Sequence, residues 1–158
     1  MLGCVGALEN IVDRGVGSWT ERRARIAPNQ AALIHGESRC TYIELASRIR
    51  RLASGLSELG VQRGDRVGWL GANHPAFLEV LFATAKLGAV MAPVNHRLEH
   101  AVITDVLTRY SPRVVVVDQT AAGISLPWDV ASRVVVGTAK GAEINYEHLV
   151  AESSDDSV

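Results

Sequence analysis

Four valines in succession, Val114–Val117, bracketed by Arg113 and Asp118, limit the fold of this chain more than any other feature. Successive side chains of a strand point to opposite faces, so a run without polar alternation needs apolar cover on both. That is the habit of a parallel sheet packed between helices. Residues 133–136, Arg-Val-Val-Val, repeat the pattern after a loop at 119–129.

The rest of the chain supplies the helices such a sheet requires. Residues 17–27 predict an amphipathic helix with Trp19, Ala24 and Ile26 inward and Pro28 as its stop. Runs at Ala31–His35 and Arg39–Tyr42 around Gly36-Glu37 predict a β-hairpin. Thr41 and Glu44, three apart, form a capping box ahead of Leu45, Ile49, Leu52, Leu56 and Leu59, and Gly60 ends that helix. Residues 66–71 predict a strand, and Asn73 and Pro75 open a helix that runs to Gly88. Ala89–Val94 reads as a strand with Pro93 near its end, and Glu99–Tyr110 as a helix with Leu98, Val102, Val106 and Leu107 on its apolar side. Residues 152–158 read as a frayed polar tail. Alternating strands and helices give an α/β fold of helices on a mostly parallel sheet, with right-handed crossovers and a small hairpin near the start.

With 158 residues the chain is sized for one domain, divided as an extension at 1–16, the domain at 17–151 and the tail at 152–158. A formal net charge of -1 gives no general attraction to nucleic acid. Cys4 and Cys40 are too few for a disulfide framework, which fits a reducing cytosol. The opening Met-Leu-Gly-Cys-Val-Gly-Ala-Leu reaches Glu9 without a basic leader and is too short for a signal peptide or a membrane span. A cytoplasmic protein is expected, and any peripheral membrane contact rests on the arginines Arg22, Arg23 and Arg25 alone.

An ordered set of landmarks carries a resemblance. Pro28-Asn29-Gln30-Ala31-Ala32-Leu33 is followed by Thr41-Tyr42-Ile43-Glu44-Leu45, then Leu59-Gly60-Val61 and Gly64-Asp65-Arg66-Val67. Asn73, Glu79, Lys86-Leu87-Gly88-Ala89-Val90, Pro93 and Asn95 complete it. Over residues 18–118 the chain resembles the amino-terminal part of acyl-CoA synthetases of the adenylate-forming, AMP-binding superfamily. The resemblance implies the N-terminal subdomain of that fold, truncated. It also implies a two-step reaction: a fatty acid or other carboxylate attacks the α-phosphate of ATP, giving an acyl-adenylate and pyrophosphate, and CoA sulfur then displaces AMP. ATP, Mg2+ and CoA serve the complete enzyme. The family's phosphate ligands come from a Ser/Thr/Gly-rich loop, later acidic and aromatic segments and a C-terminal lysine, which this sequence does not contain. The fragment is therefore expected to bind no cofactor and to be inactive by itself. Thr41, Glu44, Asp65, Glu79 and Lys86 are expected to make the fold rather than the chemistry.

No catalytic or metal-binding residue is assigned. Arg97 matches a position where some relatives direct an arginine at a CoA phosphate, the alternative being a surface or helix-start residue, and His96 departs from the small residue or proline usual beside it. Gly137-Thr138-Ala139-Lys140-Gly141 echoes a phosphate loop but lacks the family's run and the G-x-x-x-x-G-K-[ST] spacing, so a turn is expected. His96-Arg97-Leu98-Glu99-His100 spells H-x-x-E-H, a zinc signature only if both histidines share one helix face. Pro93 and Asn95 set the helix start too late for that. Two other readings compete: a non-catalytic interaction module or half-enzyme that self-associates or pairs with a separately encoded remainder, and a free-standing nucleotide-binding protein. The latter needs a glycine-rich loop after its first sheet strand, where only Gly68 and Gly71 occur.

Overall fold

A computed structural model describes residues 15–126 and 132–155. The short α1 (Trp19–Ile26) leads into an antiparallel hairpin of β1 (Ala31–His35) and β2 (Ser38–Thr41), and then into the long α2 (Tyr42–Glu58). Next come β3 (Arg66–Leu70), α3 (Pro75–Lys86), β4 (Val90–Val94), α4 (His100–Tyr110) and β5 (Val114–Val117). The chain closes with β6 (Ser132–Val135), β7 (Ile144–Asn145) and α5 (Tyr146–Glu152). The main sheet has five strands in the order β4-β3-β5-β6-β7, and every neighbouring pair is parallel.

The valine run does what its lack of alternation requires. Val114 and Val116 enter a core built with Ile49, Leu52 and Leu56 of α2 and Val80 of α3, while Val115 and Val117 enter a second core under Ile103 and Leu107 of α4. All four are fully buried. The α4 core needs a gap in β3: a Cβ on Gly68 would stand 3.2 Å from Val115 and 3.7 Å from Leu107, so glycine lets that helix seat closely. Pro93 lies on edge strand β4, where the missing N–H removes no ladder bond.

The capping box is formed: the Thr41 hydroxyl accepts from Glu44 N–H, and the Glu44 carboxylate accepts from Thr41 N–H at 2.8 Å. Gly60 and Gly88 leave their helices at φ 85° and 64°. The cap of α3 is His74, one residue beyond the expected Asn73, with Nδ1 accepting from Ala76 N–H and Pro75 in the first turn.

Three expectations are corrected. Trp19 and Ile26 do not face inward; they are 58% and 70% exposed, and Thr20 is buried instead. Polar contacts rather than apolar periodicity orient α1. Glu21 accepts from Arg50 Nη1 at 3.2 Å and from Lys86 Nζ at 3.3 Å, and a Cβ on Gly17 would stand 2.8 Å from the backbone nitrogen of Lys86. On α4 the buried pair is Ile103 and Leu107, one helical turn apart, and Leu98 and Val102 remain exposed.

The third correction concerns the tail. Helix α5, capped by Asn145 on His148 N–H, packs so closely on α2 that a Cβ on Gly55 would stand 2.6 Å from Ser153 Oγ. Asp155 then accepts from Arg50 Nε at 2.8 Å and Ser47 Oγ at 3.0 Å, so residues 153–155 are docked, not frayed. The bond from Arg50 holds the Asp155 carboxyl below the usual carboxylate range, with Ser47 adding to it against the opposing effect of burial. A depressed folded value means that Asp155 contributes stability above its unfolded value of about 3.9, lost as pH falls through the folded one. In urea unfolding, Asp155→Asn should be less stable than wild type near about pH 7, with the gap closing near about pH 3. A gap independent of pH would contradict the docking.

Candidate functional site

In open parallel sheets, ligands gather outside the carboxyl ends of the strands where the chain reverses its direction of travel across the sheet. Here the chain steps from β3 outward to β4, then returns across β3 to β5, so the switch lies between the loops that follow β3 and β5. A side chain fills it. Asp118, 5% exposed, accepts from Ala72 N–H at 2.7 Å through Oδ2 and from Thr120 N–H and Oγ1 through Oδ1. A Cβ on Gly71 would stand 2.4 Å from the Asp118 carboxyl carbon. Gly71 therefore makes room for an aspartate, and the N–H groups that could cradle a phosphate already serve a carboxylate.

The open space lies one strand over. A cavity of about 550 Å³ sits between the β3–α3 and β4–α4 loops. Trp69 and Phe77 line it, their rings edge to face at 5.7 Å, and Asn73, Asn95, His96 and Arg97 supply its polar lining. Asn95 fixes the backbone there: its Oδ1 accepts from Arg97 N–H at 2.9 Å. The Arg97 side chain is exposed, and no acidic residue among the described residues lines this cavity. A mixed apolar pocket with one guanidinium and no carboxylate suits an anionic group on an organic body.

A second cavity of about 680 Å³ lies beneath the hairpin, between the first turns of α2, α3 and α5. Three of its charged side chains pair with one another. Glu79, buried in α3, accepts from Arg48 Nε at 2.8 Å and from the Tyr146 hydroxyl at 2.6 Å, while Arg48 also forks onto Glu147 at 2.9 and 2.8 Å. Burial, and then the Glu79 charge, drives the Tyr146 phenol far above its ordinary range. Burial first, with Glu79 and Glu44 behind it, raises the Cys40 thiol. These groups tie three helices together. Asp65 accepts from Gln62 N–H at 2.8 Å, Lys86 bonds Glu21 and Glu44 completes a cap, so Thr41, Glu44, Asp65, Glu79 and Lys86 each make a bond that holds the fold.

The two decoys resolve by geometry. Residues 137–141 lie in the connection between β6 and β7, where Lys140 N–H donates to Glu143 at 2.8 Å and the Gly137 carbonyl accepts from Asn145. Helix α4 begins at His100, so His96 and His100 do not share a helix face. Among the described residues no three His, Cys, Asp or Glu side chains group closely enough to hold a metal ion. Neither Asp118 nor the Trp69–Phe77 floor was singled out from the sequence. An aspartate directly after a buried valine strand was the available signal for the first.

Comparison with known proteins then decides the family. A family profile described as AMP-binding enzyme matches residues 20–157. The chain belongs to the AMP-binding enzyme family. It is similar to a feruloyl-CoA synthase of an Amycolatopsis species, 54% identical over 86 residues that cover 54% of this chain and 18% of that protein. It is also similar to the indoleacetate–CoA ligase of Aromatoleum aromaticum, 40% identical over 83 residues, 52% of this chain and 16% of the relative. The fold matches a Mycobacterium tuberculosis fatty acyl CoA synthetase with a TM-score of 0.81 at 24% identity, covering 92% of this chain and 30% of that one. The chain thus spans less than a fifth of these two curated relatives and corresponds to an amino-terminal part of the AMP-binding fold. Among the described residues no helix is long and apolar enough to cross a membrane.

Proposed function

We propose that residues 17–151 form the first part of the AMP-binding domain of a carboxylic acid–CoA ligase, acting in the cytoplasm, and that Arg97 meets a phosphate of CoA. The complete enzyme would join a carboxylate to ATP as an acyl-adenylate, release pyrophosphate, and pass the acyl group to the CoA thiol. The observation that carries the reading is the cavity at the carboxyl edge of the sheet, bordered by Arg97, floored by Trp69 and Phe77 and without an acid among the described residues that line it. Asp118 fills the switch crevice and Glu143 takes the Lys140 N–H, and no step of adenylation is assigned to these residues. The names of the two curated relatives make ferulate and indoleacetate the first acids to assay beside a fatty acid.

Arg97→Ala, in the longest polypeptide that carries this sequence, should weaken CoA binding about tenfold or more, since a charge-assisted bond contributes roughly 1.5–3 kcal/mol. Calorimetric titration reads this directly, and unchanged affinity would remove Arg97 from the site. A second reading, a half-enzyme that pairs with a separately encoded remainder, is favoured by exposed Trp19, Ile26, Ile34 and Val90.

A further inference from the structure

Helix α1 turns its acid inward and leaves its largest apolar residues outside. Trp19, Arg22, Arg23 and Ile26 follow one another at i, i+3, i+4 and i+7, the spacing that gathers side chains on one face of a helix. All four are exposed, and Arg25, exposed as well, flanks them. The opposite face carries the buried Thr20 and Glu21, the one acid in the helix, which is bound by Arg50 of α2 and Lys86 of α3. The outward face therefore joins an indole and a branched aliphatic chain to three arginines, with no carboxylate of the helix beside them. Arg23 is held in place there, its guanidinium 4.9 Å from the centre of the Tyr42 ring. Glu9 and Asp13, the acids that precede α1 in the sequence, lie outside the described residues.

We propose that this face of α1 docks on an anionic lipid surface, with Trp19 and Ile26 entering the boundary between headgroups and acyl chains and Arg22, Arg23 and Arg25 meeting lipid phosphates. The order of residues on the face selects this occupant over a protein groove. A groove that takes a helix reads apolar anchors at i, i+3, i+4 and i+7, and here the two middle positions are arginines that a dry groove would bury. At a bilayer the same guanidinium groups reach phosphates while their stems lie along the apolar layer, and an indole favours the interface. Each arginine near an anionic surface strengthens binding by only about fivefold, so the basic cluster alone is marginal. Docking takes an apolar signal beside the basic one, and the exposed Trp19 and Ile26 supply it. Nothing in this docking depends on the cavity bordered by Arg97.

Co-sedimentation with vesicles tests the docking in the longest polypeptide that carries this sequence. Vesicles of phosphatidylcholine and phosphatidylglycerol in equal amounts should bind it about tenfold or more tighter than phosphatidylcholine alone, and added salt should weaken that binding by screening. Arg22→Gln should lower affinity for the anionic vesicles about fivefold, and Arg22→Gln with Arg25→Gln about twentyfold. Trp19→Ser should lower it about fivefold or more. Arg109→Gln, which removes the same charge from the exposed surface of α4, should change it by less than about twofold. These side chains are exposed, so each variant should melt with wild type, and vesicle binding reads the face rather than the fold. Equal affinity for the two kinds of vesicle overturns the proposal, as does an Arg109→Gln loss equal to that of Arg22→Gln. If Trp19→Ser leaves vesicle binding intact and instead lowers the particle mass in light scattering, the face is a protein interface and the lipid assignment is wrong.

Discussion

Glu79→Ala should destabilise the chain by about 3 kcal/mol, the largest loss expected from any single polar side chain here. Glu79 is 3% exposed and serves two donors from two other helices, Arg48 of α2 and Tyr146 of α5. Its removal leaves a guanidinium and a buried phenol short of an acceptor, and the cost of such orphans exceeds the net worth of the bonds when made. Arg48 keeps Glu147 as a partner and remains partly exposed, which sets the value at the lower end of the 3–5 kcal/mol range for broken buried pairs. In a chain of this size the melting temperature should fall by roughly 6–12 °C. Tyr146→Phe should cost less, about 1.5–3 kcal/mol, because it removes the donor and leaves Glu79 with Arg48. The double variant should lose less than the sum, since both substitutions break the same bond. Urea or thermal unfolding measures all three, and a Glu79→Ala loss under about 1 kcal/mol would show that the network does not tie the helices together.

The same residue illustrates what a sequence can disclose. Glu79 was legible as part of an ordered family pattern and as a structural residue, but its partners lie at sequence separations of 31 and 67, which no local period registers. Features set by neighbours in the chain were recovered. The valine run declared a sheet covered on both faces, Thr41 and Glu44 declared a helix start, and Gly60 and Gly88 declared helix ends. Features set by distant partners were not. The face of α1 depends on Arg50 and Lys86 meeting Glu21, and the docking of residues 153–155 depends on Ser47 and Arg50. Helix α5 was too short for apolar periodicity to show, although Asn145 ahead of Glu147 was a usable start signal. The candidate site divides similarly. Arg97 came from the family pattern, whereas the cavity beside it, its lack of acid and the filling of the switch crevice by Asp118 needed three loops in space.

Those loops bear on the central proposal, that this part of an AMP-binding enzyme would contribute scaffold and one wall of a ligand cavity but no adenylation chemistry. Enzymes accelerate reactions by about a million-fold or more, and each aimed donor in a preorganised site contributes roughly a hundred- to a thousand-fold. Two candidate cradles for phosphate in the described residues are already occupied, one by Asp118 and one by Glu143. The expected loss relative to a complete ligase is therefore total on the scale of an assay. The direct measurement is carboxylate-dependent exchange of labelled pyrophosphate into ATP by purified residues 1–158, with ferulate, indoleacetate and a fatty acid each supplied in turn beside Mg2+. Exchange no faster than in buffer is predicted for all three. Exchange that depends on both the acid and the protein would contradict the claim and place adenylation within these residues.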